Sequence, residues 1–211
     1  MTRLHGYWRS SAAYRLRIAL ALKGIAYETV AVDLRAGAQR AAAHRARQPQ
    51  GLVPVLEIDE ATLVQSLAII EYLDETRPHP ALLPRDPLGR ARVRAIALAV
   101  ACEIHPLNNL RVLEHLRLGL ALPEADIEAW YRHWIKTGFA GLEPLVAASA
   151  GRFAYGDTPT LADVVLVPQL YNARRFACDL APYPTLLRVE AACLELAAFA
   201  ASAPEQQPDA A

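Results

Sequence analysis

Trp8-Arg-Ser-Ser-Ala-Ala-Tyr-Arg-Leu-Arg-Ile-Ala-Leu-Ala-Leu-Lys-Gly24 decides how this chain is read. A short apolar lead-in, Leu4 to Trp8, runs into two serines, and a helical pattern then continues to Gly24. Ser10 and Ser11 therefore stand at a helix N-terminus, where N–H groups without helical partners and the helix dipole favour negative charge. Such a place suits a thiolate. On this segment alone, an ordinary N-cap is the plainer reading.

Working outward, Tyr27 to Leu34 is rich in β-branched residues and predicts a strand. Residues 38 to 46 predict a short helix, and Val53 to Ile58 a further strand. Asp59 to Thr62 reads as a turn, with Leu63-Val64 starting a brief return strand. Gln65 to Glu75 places Leu67, Ile69, Ile70 and Leu73 in a helical stripe. The order β-α-β-α-β-β-α implies an α/β layer whose sheet ends in a hairpin. Four prolines between Pro78 and Leu88 mark a linker. Beyond it only helical patterns are strong: Leu88 to about Leu118 with a bend near Pro106, Glu124 to about Ser149, a run opened by a Thr160/Asp163 capping box, and Pro184 to Ala201. The residues after Ala203 read as a frayed tail. The expected domains are 1–80, a linker at 81–87, and an all-α domain at 88–211.

The 211 residues are 54% hydrophobic, with 22 basic and 22 acidic side chains. Zero formal charge gives no reason to expect nucleic acid or a membrane surface as partner. No apolar run is long enough for a membrane span, and Arg3, His5 and Arg9 interrupt any signal-peptide core. Cys102, Cys178 and Cys193 are widely spaced and odd in number, which fits reduced thiols in the cytoplasm. The six histidines show no paired ligand spacing, so no metal is expected.

Four segments carry a resemblance. They are Ser10-Ser11-x-x-Tyr14-Arg15-x-Arg17-Ile18-Ala19-Leu20, Gln48-Pro49-Gln50-Gly51-Leu52-Val53-Pro54, Gln65-Ser66-x-Ala68-Ile69-Ile70-Glu71-Tyr72-Leu73 and Gly156-Asp157-x-Pro159-Thr160-Leu161-Ala162-Asp163. In order and spacing they resemble the zeta-class glutathione transferases, the maleylacetoacetate and maleylpyruvate isomerase group. The resemblance implies a thioredoxin-like glutathione-binding domain, an all-helical substrate-binding domain, glutathione as cofactor, and a cytoplasmic homodimer acting on a small molecule.

It also implies residue roles. Ser10, with Ser11 in support, would stabilise the glutathione thiolate. Val53, ahead of a cis Pro54, would pair its backbone with the cysteinyl part of glutathione; base rates alone favour a trans proline there. Gln65 and Ser66 would hold the γ-glutamyl carboxylate, and Gln39 and Gln50 the glycyl end; each glutamine could equally be a solvated polar residue. Arg9 and Arg175 match residues that bind substrate carboxylates and oxygens, although Arg174-Arg175 also reads as a solvated helix end. His105 and Asn109 would face the cleft, and His105 could instead be a satisfied core histidine. Thr160 and Asp163 are structural. Trp130 and Trp134, four apart, read as helical packing. The family commonly has Cys where this chain has Ala12.

The implied reaction converts maleylacetoacetate to fumarylacetoacetate in aromatic amino acid catabolism. Alternatives are maleylpyruvate isomerisation in aromatic degradation, where Leu110 replaces an expected arginine, a general glutathione transferase, or a non-catalytic glutathione-binding protein.

Overall fold

A computed structural model describes residues 1–210 and divides them into two units: residues 1–82 with 195–210, and residues 83–194. The first unit begins with β1 (Arg3–Gly6) and α1 (Ser11–Leu22), followed by β2 (Glu28–Ala31). Parallel pairing of β1 with β2 requires the crossover that α1 supplies. β3 (Val55–Ile58) and β4 (Ala61–Val64) extend the sheet antiparallel in the order β2-β1-β3-β4. α3 (Ser66–Thr76) closes the α/β layer, the expected thioredoxin-like order.

Gly6 explains how closely α1 lies on β1. A Cβ there would stand 3.2 Å from the Ala13 Cβ, tighter than ordinary contact. Leu4, Leu16, Ile18, Leu20, Leu56, Ile69, Ile70 and Leu73 fill the core. At the far end of α1, Lys23 has a fully buried side chain that donates to Asp74 Oδ1 (2.7 Å), the Arg77 carbonyl (2.8 Å) and the Pro80 carbonyl (2.6 Å). Three acceptors match the three N–H bonds of an ammonium, so the charge is buried with its needs met.

Several boundaries differ from expectation. The helix expected over 38–46 is a 3₁₀ turn at Ala38–Arg40 and a one-turn helix, α2 (Ala42–Arg45), because Ala41 is extended at ψ 146. The β3–β4 turn is only Asp59-Glu60, both at positive φ (51 and 63), so β4 starts earlier than Leu63. Two left-handed residues match the twist of a two-residue hairpin.

The second unit is helical: α4 (Pro87–Leu98), α5 (Leu110–Glu114), α6 (Glu124–Ala147), α7 (Leu161–Arg175) and α8 (Pro184–Leu194). The expected bent helix over 88–118 is instead interrupted. α4 runs into π-type turns at Ala99–Ile104 and a 3₁₀ turn at His105–Asn108, and Asn109, extended at ψ 149, restarts the chain as the cap of α5. Pro106 cannot donate to a continuing helix, which fixes the break. Buried Asp163 opens α7: its carboxylate accepts from Ala154 N (2.7 Å), Thr160 N (2.8 Å) and the Thr160 hydroxyl (3.0 Å), with both halves of the capping box present. Burial nevertheless raises the Asp163 pKa, and the same burial, with Asp163 beside it, raises the Cys193 thiol.

The C-terminal segment corrects two expectations. The helix expected from Pro184 to Ala201 ends at Leu194, and α9 (Ala197–Ala200) is a separate turn of the first unit, packed on α1. Tyr14 donates from its hydroxyl to the Phe199 carbonyl at 3.3 Å. The tail is not frayed: Pro204–Gln206 form a 3₁₀ turn, and Asp209 accepts a hydrogen bond from Trp8. Residues 195–210 therefore belong with the α/β layer and not with the helical domain to which the sequence reading gave them. Among the described residues, no helix is long and apolar enough to cross a membrane.

Candidate functional site

Tyr7 to Ser10 form a β-turn closed by the Ser10 N–H donating to the Tyr7 carbonyl at 2.9 Å. The turn delivers Ser10 to the N-cap of α1 at φ −70, ψ 120, where its hydroxyl oxygen accepts from Ala13 N at 3.3 Å. That bond uses a lone pair. A hydroxyl also carries one proton to donate, and capping leaves it available. Ser11, the first residue of α1, is buried. Arg9 lays its guanidinium carbon 5.2 Å from the centre of the Trp8 ring and, among the described residues, has no carboxylate partner. A cation thus stands next in sequence to a hydroxyl at a helix N-terminus.

A second set of groups comes from the loop ahead of β3 and from the start of α3. The Val53–Pro54 peptide is cis. His44 on α2 donates from Nε2 to the Leu52 carbonyl at 2.7 Å, pinning the chain just before that bond. Gln50 joins the loop to the start of α3: its N–H donates to Gln48 Oε1 (2.8 Å), and its Oε1 accepts from Gln65 Nε2 (2.7 Å). Gly51, at φ +65, brings the loop beside the 3₁₀ turn of Gln39, since a Cβ on it would be 3.2 Å from the Gln39 carbonyl. Gln39 itself is buried, with its Oε1 shielded from solvent and without a hydrogen-bond partner.

Gln65 adopts φ 69, unusual for a residue with a side chain, immediately before α3. Ser66 follows as the first helical residue, with Gln65 in the cap position. The buried Arg15 guanidinium donates to Ser66 Oγ at 3.4 Å. The helix N-terminus and this cation reinforce each other as a place for a carboxylate.

In the helical unit, His105 lies on the 3₁₀ turn and Asn109 caps α5 by accepting from Arg111 N at 3.2 Å. Trp130 donates to the Leu107 carbonyl at 2.9 Å and meets Trp134 edge-on at 5.6 Å, the packing role expected. Arg174 and Arg175 differ. Arg174 is held bidentate by the buried Glu190 at 2.5 Å for both bonds. Arg175 lies 5.3 Å from the Phe176 ring, which stacks on Tyr131. Burial raises the Tyr131 hydroxyl pKa, and the Arg175 charge offsets part of that rise. Ser10, Gln39, Gln50, Val53, Gln65 and Ser66 thus share the first unit, and His105, Asn109 and Arg175 the second.

Arg15, Arg17 and His44 have contacts that the sequence reading left without a role. Two arginines inside an otherwise apolar helix were the available signal for the first two; nothing local marked His44.

A parallel β1-α1-β2 unit, a hairpin after a cis-proline and a helix start carrying Gln-Ser define the thioredoxin-like class of domain, here joined to a helical unit. The glutathione S-transferase N-terminal domain matches residues 2–75 and the glutathione S-transferase C-terminal domain residues 128–192. The chain belongs to the glutathione S-transferase family. A maleylpyruvate isomerase from Ralstonia sp is 52% identical over 211 residues, covering 99% of this chain and all of the relative. A holo structure of maleylpyruvate isomerase, described as a bacterial zeta-class glutathione S-transferase, superposes with TM-score 0.97 at 52% identity, covering 99% of this chain and 100% of that one. Maleylacetoacetate isomerase from Anaeromyxobacter dehalogenans 2CP-1, with glutathione bound in its active site, gives TM-score 0.90 at 55% identity, covering 100% and 98%.

Proposed function

We propose that this protein is a glutathione-dependent cis-trans isomerase of a cis-enedione diketo acid, with maleylacetoacetate to fumarylacetoacetate as its reaction. The observation that carries the proposal is Ser10 at the N-cap of α1, with a hydroxyl proton left to donate. A free thiol ionises at about pH 8.5, so a hydroxyl donor and a helix N-terminus are what a glutathione thiolate needs at neutral pH.

The thiolate sulfur adds to one carbon of the double bond, and the electron pair moves onto the conjugated carbonyl oxygen. Arg9 and nearby N–H donors stabilise that oxyanion. The remaining single bond rotates. The carbonyl re-forms, the C–S bond breaks, and the trans product leaves with the thiolate regenerated. Ser11 supports Ser10. Gln65 and Ser66 bind the γ-glutamyl carboxylate, Val53 the cysteinyl backbone, Gln39 and Gln50 the glycyl end, with His105 and Asn109 as further contacts. Arg175 binds a substrate carboxylate through its planar fork.

Maleylpyruvate is the second reading, favoured by the Ralstonia relative. Leu110, the first residue of α5, supports the first reading because it supplies no additional cation for a shorter diacid. Rates with each cis diketo acid, with and without glutathione, test the proposal. Isomerisation that proceeds equally without glutathione overturns it. We further propose a cytoplasmic homodimer. Free Cys102, Cys178 and Cys193 fit a reducing compartment, and two-fold pairing is the commonest assembly. Sedimentation at the mass of a single chain refutes the dimer.

A further inference from the structure

The turn that presents Ser10 is held from both sides by groups distant in sequence. The Trp8 N–H donates to Asp209 Oδ2 at 3.0 Å, and the Trp8 carbonyl accepts from Arg17 Nη2 at 2.9 Å. Arg17 is buried and also donates from Nε to the Ser202 carbonyl at 2.9 Å. Trp8, two residues before Ser10, is therefore tied to α1 through its carbonyl, in the peptide shared with Arg9, and to the C-terminal segment through its N–H, in the peptide shared with Tyr7. The tail is itself held in shape. Gln207 Nε2 donates to the Ala201 and Ala203 carbonyls at 3.2 and 2.9 Å, and Ala210 N donates to the Gln207 carbonyl at 3.0 Å.

Trp8 and Arg9 are the two central residues of the turn closed by Ser10 N–H to Tyr7 carbonyl. Rotating either peptide that flanks Trp8 would move Arg9 and Ser10 together. The Trp8 N–H lies beyond the end of β1 at Gly6 and donates to Asp209 instead of to a neighbouring strand. A carboxylate acceptor is stronger than water and directional, which fixes that rotation.

The geometry points to Asp209 as a positioning residue: by holding the Trp8 N–H it sets the turn that aims the Ser10 hydroxyl and the Arg9 guanidinium. The inference rests on the proposed role of Ser10 as thiolate donor. Asp209 acts on the Trp8 N–H, and its effect passes through the turn.

The test is a double-mutant cycle on the full chain, with Ser10→Ala, Asp209→Ala and both together, and Asp209→Asn as the conservative control. Asp209→Ala should lower kcat roughly tenfold, equivalent to about 1.4 kcal/mol, while the KM for glutathione changes by less than about threefold. The pH at which kcat/KM reaches half its plateau should rise, because the thiolate has lost an aligned donor. Asp209→Asn keeps a side-chain carbonyl acceptor and should restore most of the rate. In the Ser10→Ala background, Asp209→Ala should have a much smaller effect on kcat, the remainder passing through Arg9. Asp209→Ala with wild-type kcat and pH profile overturns the inference, even if its melting temperature falls, because that is a structural tether alone. A full Asp209 effect in the Ser10→Ala background also overturns it. If Asp209→Ala does not fold, the Asn variant carries the test: loss of rate equal to that expected for Ala refutes an acceptor role. Wild-type turnover in Ser10→Ala alone refutes the role of Ser10 and is readable without any Asp209 variant.

Discussion

Ser10 performs two separable jobs, and two substitutions pull them apart. Both Ser10→Ala and Ser10→Gly remove the hydroxyl donor. Loss of one donor aimed at an anion lowers turnover by roughly 100- to 1,000-fold, about 2.7–4 kcal/mol. The cap is the second job. Its 3.3 Å bond to Ala13 N is longer than the usual amide hydrogen bond, which places it in the lower half of the range for N-caps. Ser10→Ala should therefore cost only about 0.5–1 kcal/mol of stability, a melting shift of roughly 1–4 °C. Glycine is a tolerated N-cap, so Ser10→Gly should cost a few tenths of a kcal/mol at most, about. The expected pattern is equal kinetic loss and unequal thermal loss. Steady-state kinetics and a thermal melt on the same preparations read both. Turnover within about threefold of wild type in either variant refutes the donor role and moves it to Ser11 or to backbone N–H groups. Kinetic losses that track the melting shifts would mean that α1 is disturbed and the hydroxyl is incidental.

Arg175→Ala should lower kcat/KM for the diketo acid by roughly 10- to 150-fold with little change in glutathione affinity, since a charge-assisted pair is worth about 1.5–3 kcal/mol. Arg175→Lys should recover only part of this, and a collapse of glutathione binding in either variant would reassign the residue. Glu57 is held below the usual carboxylate range by its hydrogen bond from Arg47, with burial opposing and His5 assisting. A depressed carboxyl stabilises the fold above its unfolded pKa and loses that contribution as pH falls through the folded value. Wild type and Glu57→Gln should then differ in melting temperature near neutrality and converge on acidification; parallel curves would remove Glu57 from the acid response.

Features with local causes were legible in the sequence. The serines before an apolar stripe marked the start of α1, and Thr160 with Asp163 marked α7. The π and 3₁₀ turns at 99–108 were not, because helical periodicity continues through Val100 and Ile104 while the hydrogen-bond register changes beneath it. The turn at Asp59 was legible but its two-residue length was not, because Glu60 is not the Gly that the second left-handed position favours. The burial of Arg15 and Arg17 was illegible for a different reason. Their acceptors include Ser66 and Ser202, distant in the chain and brought in only by folding. Asp209 is the extreme case, since 201 residues separate it from Trp8 and polar composition made its segment look loose. The expected glutathione contacts rested on family resemblance, and the geometry adds the links that hold them, Gln50 to Gln65 and His44 to Leu52.

The most direct measurement follows product geometry and free thiol together in one reaction. Glutathione, the protein and a cis diketo acid in excess over glutathione are mixed, and the trans acid and the titratable thiol are quantified over time. Many turnovers to the trans acid are expected with the thiol count unchanged, because each addition is undone by elimination. Loss of one thiol per substrate consumed, with a stable thioether and no trans acid, would contradict it and make the protein a conjugating transferase.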